Sequence, residues 1–166
     1  MSWVGVFGFV GALAALAALV TFYKTTIEPR RTKSKLRHLF ALIEDWFDEI
    51  DRDLEQGLSI ALLNNKENKF RHYIEDSALS RYTMTFSPTF KREYLKSCGI
   101  KHELSGSDAL FEEYSRCPSN GISLTSFVNC LVGAFYTFHK EYKAGKGNYA
   151  DFEMGVKFFR YYVNNR

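Results

Sequence analysis

Residues Trp3 to Tyr23 form an unbroken uncharged run, WVGVFGFVGALAALAALVTFY, of twenty-one residues. As a helix rising about 1.5 Å per residue it would reach roughly 30 Å, the thickness of a bilayer's hydrocarbon core. The expectation is a single N-terminal transmembrane helix over 3–23. A cleaved secretory signal peptide fits less well, because only Met1 and Ser2 precede the run and no basic region comes before it.

The flank sets the expected orientation. Lys24, Arg30, Arg31, Lys33, Lys35 and Arg37 against the single Glu28 give residues 24–38 a net charge of +5. By the positive-inside rule this side is cytoplasmic, which places the chain in the inner (cytoplasmic) membrane as a single-pass protein with a cytoplasmic C-terminal domain. Cys98, Cys117 and Cys130 are odd in number and lack metal-ligand spacing, as expected of thiols in a reducing compartment. Small residues at 8/12, 11/15 and 14/18 in the apolar run allow close helix approach and point to a homo-oligomer.

The remainder divides into a basic juxtamembrane hinge, 24–34, containing Pro29, and a cytosolic domain, 35–166. Pro29 lacks a backbone donor and its ring crowds the preceding turn, so a kink or break is expected there. Helical periodicity dominates the domain. Leu36, Phe40, Ile43, Phe47, Ile50, Leu54, Gly57 and Ala61 alternate in steps of four and three. Leu124, Val128, Leu131, Phe135, Phe138 and Tyr142 repeat the device, as do Phe152, Val156, Phe159 and Val163 in the last helix. Shorter helices are expected near 67–80, 88–97 and 107–116. Ser87-Pro88 reads as an N-cap with proline at the first helical position, Cys98-Gly99 as a stop, and Ser105 with Asp108 as a capping pattern. "CPSNG" at 117–121 and "AGKGN" at 144–148 read as turns, and "RYTMTF" at 81–86 is the one stretch that could be strand. The fold class is all-α: the transmembrane helix followed by a cytosolic bundle of five or six helices.

Chemistry-bearing motifs are scarce. Residues 39–56 carry a net charge of −6, and Asp51, Asp53 and Glu55 alternate like the start of a calcium loop. Gly57 is one place late and Leu62 occupies the position of the bidentate glutamate, so the run reads as the solvated face of a helix, with no metal site. There is no phosphate-binding Gly-rich loop, no HExxH and no GxSxG. The chain is therefore read as a non-enzyme with no catalytic residues and no cofactor.

The last helix is the richest in binding chemistry. With Phe152, Val156, Phe159 and Val163 turned to the core, Lys157, Arg160, Tyr161 and Asn164 share another face. Phe158 and Tyr162 project in a third direction and suggest subunit packing. Cations interleaved with rings suit a phosphate-and-base ligand. Lys91 and Arg92 lie in the first turn after Ser87-Pro88, where the helix dipole favours an anion. The expected ligand-binding residues are Lys157, Arg160, Tyr161, Lys91 and Arg92.

One uncharged N-terminal run, a basic flank and a small helical domain rich in aromatic and basic residues resemble the small CRISPR-associated membrane effectors of prokaryotic antiviral defence, specifically the type that binds a cyclic oligoadenylate. The resemblance is architectural and carries over no family residue. It implies an oligomer at the lipid bilayer whose cytosolic domain senses the second messenger, notably cyclic tetra-adenylate, and perturbs the membrane; no DNA partner is expected. A second group, HEPN-like membrane partners of RNA-targeting CRISPR nucleases, is similar in outline, and the six residues between Arg31 and His38 match its loose arginine-to-histidine spacing. A passive membrane-anchored adaptor that binds protein is the third reading.

Overall fold

The computed structural model describes residues 3–54, 69–101, 106–143 and 150–165, with side chains from Leu13 onward except at 47, 50–54, 107 and 138–143. Helix α1, Trp3–Phe22, runs through a π-helical turn, Tyr23–Ile27, into α2, Glu28–Leu54. Helix α3 covers 69–76 and a 3-10 turn covers Leu79–Arg81. Then come β1, Thr83–Met84; α4, Pro88–Ser97; α5, Ser107–Ser115; β2, Ile122–Ser123; α6, Leu124–Lys143; and α7, Ala150–Asn164. Among the described residues the domain is predominantly helical, as its periodicity predicts.

The expected transmembrane helix over 3–23 is not supported. Among the described residues, no helix is long and apolar enough to cross a membrane. The side chains described in α1 run from Leu13 to Phe22. These side chains are bare: Leu16 and Leu19 are 58% and 64% exposed.

Pro29 does not end the helix. The Glu28 amide donates to the Tyr23 carbonyl, a reach of five residues, and the widened turn lies just ahead of the proline ring. A π turn relieves the clash and lost donor that a proline imposes on the preceding α-helical turn. The helix continues through this turn, so the basic flank from Arg30 to Arg37 lies on the first turns of α2.

Helix α2 buries Leu36, Leu39, Ile43 and Trp46, spaced three, four and three. The buried line thus passes through Leu39 and Trp46, while Phe40 lies at its half-buried edge and packs its ring on Phe159. Trp46 meets Phe70 of α3, Phe135 of α6 and Phe152 of α7, with centroids 5.3, 4.8 and 5.5 Å away. Gly155 of α7 permits the close approach to α6, since a Cβ there would come within 2.6 Å of Leu131 Cδ1.

A second layer, formed by α4, α5 and the short antiparallel β1–β2 pair, closes on the other side of α7. The register pairs Thr83 with Ser123 and Met84 with Ile122, so part of the ambiguous 81–86 stretch is strand. Gly121, at φ +113°, enters β2 so tightly that a Cβ would meet the Met84 carbonyl oxygen at 2.3 Å. Ser87 caps α4 as its position predicts, its hydroxyl accepting from the Phe90 amide at 3.1 Å. Gly99 follows with φ +80° at the helix stop.

Phe158 and Tyr162 are buried within the chain, against the expectation that they face another subunit. Phe158 packs on Phe86, Tyr94 and Phe127, and the Tyr162 hydroxyl bonds that of Tyr82 at 2.8 Å. Helix α7 is apolar around most of its girth because it lies between two layers, α2 and α6 on one side and α4 and α5 on the other. The turn expected at 144–148 and the Asp51, Asp53 and Glu55 side chains lie outside the described residues.

Candidate aromatic cleft beside the last helix

Helices α4, α5 and α7 enclose a cleft of about 530 Å³ lined by Tyr94, Ser97, Cys98, Tyr114, Ala150, Glu153, Met154, Lys157 and Tyr161. That volume is within the range of about 300–1,000 Å³ common to small-molecule sites. Three tyrosine rings, one ammonium, one carboxylate and a thioether give it both stacking surface and polar contacts.

Its walls are held by the second-layer core. Tyr94 is buried, and its ring meets those of Phe158, Tyr161 and Phe90. Burial drives the Tyr94 phenol pKa well above its ordinary value, with the neighbouring Cys98 adding to the effect. Burial also raises Tyr161, followed by the nearby Glu93 and Cys98 charges. Both phenols are therefore neutral at physiological pH and present hydroxyl donors. Tyr114, on α5, is 40% exposed and is the open face of the cleft.

The five residues expected from sequence do not gather in one place. Lys157 and Tyr161, one helical turn apart on α7, both line the cleft. Lys157 pairs with Glu153 at 2.6 Å; their side chains are 65% and 44% exposed, so the pair contributes at most about 1 kcal/mol and does not lock the ammonium. Arg160 turns to α2, where its Nε donates to Glu44 at 3.0 Å, its Nη2 reaches the same oxygen, and its guanidinium lies over the Phe40 ring at 5.7 Å. Lys91 is buried, bound to Asp108 at 2.5 Å and set 5.6 Å from the Phe111 centroid. Arg92 is exposed on α4 and is not among the residues lining the cleft.

Asp108 belongs to the same α4–α5 contact. Its carboxylate neutralises Lys91, and Gly106 precedes α5 without a side-chain cap, while Ser105, the other half of the expected capping pattern, lies outside the described residues. Sequence reasoning missed Tyr94, Tyr114, Glu153 and Met154. The available pointer was Tyr94 with Cys98, four residues apart on one helix and hence on one face.

Arg31 and His38 lie two turns apart on α2, about 10 Å along its axis. Each is engaged by a ring: the Arg31 guanidinium sits 5.9 Å from the Tyr23 centroid, and the His38 ring sits 4.8 Å from that of Tyr73. No protein-family model, curated protein or solved structure matches the chain.

Proposed function

We propose that the protein is a membrane-associated effector whose helical domain binds an adenine-containing nucleotide, in the form of a cyclic oligoadenylate, in the α4–α5–α7 cleft. The observation that carries this reading is the convergence of Tyr94, Tyr114 and Tyr161 on Lys157 and Glu153. Tyr114 offers a stacking face for a base, worth about 1–3 kcal/mol per base in comparable sites. The Lys157 ammonium complements a phosphate once it leaves its exposed partner. Glu153, freed by that exchange, is an acceptor for an exocyclic amine, which adenine has and uracil lacks.

The cleft has room for one base and its phosphate, not for a whole cyclic tetramer. A ring of identical nucleotides then meets identical clefts on a symmetric homo-oligomer. Binding that differs in strength between two arrangements of the subunits would shift their populations. The bare apolar residues of α1 link such a change to a membrane, since exposed apolar patches of this kind seek lipid or another apolar surface. The resemblance to small CRISPR-associated effectors supplies the biological setting, antiviral defence, and the role is sensing and membrane perturbation without catalysis.

Calorimetric titration of the full-length protein in a neutral detergent with cyclic tetra-adenylate tests the reading. Binding should weaken as salt rises, as phosphate neutralisation requires. Tyr114→Ala and Lys157→Gln should each reduce affinity without loss of helicity. Equal affinity in both variants, or none in the parent, refutes it.

A further inference from the structure

A second cleft, of about 430 Å³, lies where α1 meets the domain, lined by Lys24, Glu28, Pro29, Arg30, Thr32, Lys33, Leu36, Tyr82 and Val163. Its floor is apolar and buried, formed by Leu36 and Val163, and its rim is basic. Lys24, Arg30 and Lys33 share that lining with Glu28. The π turn at Tyr23–Ile27 brings Lys24 onto the same rim as Arg30 by joining α1 and α2 without a break. The described part of α1 leaves this cleft with its apolar side chains exposed, Leu16, Leu19 and Val20 among them.

We infer that this cleft is a binding site for one anionic phospholipid, its headgroup phosphate held by Lys24 and Arg30 and its acyl chains lying along α1. Charge complementarity is joined here to an apolar surface. A phosphodiester anion matches the cationic rim, and the same molecule carries the hydrocarbon that bare leucines and Val20 require. A free phosphate satisfies only the first half. A basic stretch acting through diffuse surface potential accounts for neither the apolar floor nor the position of the rim at the end of α1. The site is separate from the nucleotide cleft and does not depend on that reading.

The test titrates the full-length protein, in a neutral detergent, with short-chain phosphatidylglycerol, short-chain phosphatidylcholine and glycerol 3-phosphate. Phosphatidylglycerol should bind at least about tenfold more tightly than either of the others, because only it supplies a net anion and an acyl part together. Lys24→Gln with Arg30→Gln should remove that preference. Arg31→Gln with Arg37→Gln, which deletes the same charge from the same stretch outside the cleft, should leave it nearly intact. Equal losses in the two double variants would reduce the effect to diffuse attraction and overturn the site. Glycerol 3-phosphate binding as tightly as the lipid would assign the cleft to a soluble phosphate and also overturn it. Circular dichroism of each variant confirms that the helices persist.

Discussion

Replacing Asp108 with asparagine removes the carboxylate that neutralises Lys91, whose side chain is 8% exposed while that of Asp108 is 68% exposed. The asymmetry sets the magnitude. Breaking a fully buried pair by deleting one partner costs about 3–5 kcal/mol, but here the lost partner faces water and the stranded ammonium keeps its contact with the Phe111 ring. Asp108→Asn should therefore destabilise by about 1–2 kcal/mol, between the exposed and buried limits. In a chain of 166 residues this lowers the unfolding midpoint by about 3–6 °C. Lys91→Met retains the aliphatic stem and leaves Asp108 free to hydrate, so it should cost less than about 1 kcal/mol. The double variant should be no less stable than Lys91→Met alone, because the coupling is gone once the ammonium is removed. Urea unfolding followed by far-ultraviolet circular dichroism measures all four proteins. Lys91→Met as damaging as Asp108→Asn, or a double variant with additive losses, would refute the electrostatic account of this contact. Nucleotide affinity should also survive Lys91→Met, since that ammonium serves the α4–α5 contact.

Three further outcomes follow from the packing and the titrations. Gly121→Ala forces a Cβ against the Met84 carbonyl at a positive φ and should cost at least about 1–3 kcal/mol; an unchanged urea midpoint would contradict the tight entry into β2. Burial raises the Tyr162 phenol from 10.0 to about 12, with a hydrogen bond from the Thr85 backbone opposing the shift. A raised acid pKa makes the folded state retain its proton, so this stabilisation is complete below pH 10.0 and is lost as pH climbs toward about 12; a flat unfolding midpoint across that window would contradict it. Burial, aided by the nearby Cys130, lifts the Cys117 thiol to about 12, so Cys98 and Cys130 should alkylate in the native protein while Cys117 reacts only on unfolding, as mass spectrometry of iodoacetamide adducts would show.

The helices were legible because period and punctuation agreed. Ser87-Pro88 and Cys98-Gly99 bound α4 by local chemistry, and the core lines of α6 and α7 repeat every third or fourth residue. On α2 the sequence carries two interleaved lines, one through Phe40 and Phe47 and one through Leu39 and Trp46. Period alone does not choose between neighbouring stripes on one helix; the ring cluster of Phe70, Phe135 and Phe152 around Trp46 does. The same limit applied to the site. Helical spacing places Lys157, Arg160 and Tyr161 side by side, yet Glu44, 116 residues earlier in the chain, draws Arg160 toward α2. Likewise Lys91 stands in a first turn suited to anions, but Asp108 on the next helix takes its charge. Tyr114 joins the cleft through the packing of α5 on α4 and α7, which no local pattern encodes.

Photo-crosslinking tests the central claim most directly. The full-length protein is irradiated with an azido-adenine analogue of cyclic tetra-adenylate, and the adducts are mapped by peptide sequencing. The account predicts labelling at Tyr94, Tyr114 or Tyr161, suppressed by unmodified ligand and lost in Tyr114→Ala with Lys157→Gln. Competed labelling confined to the Lys24–Lys33 cleft, or labelling that unmodified ligand does not suppress, would contradict it.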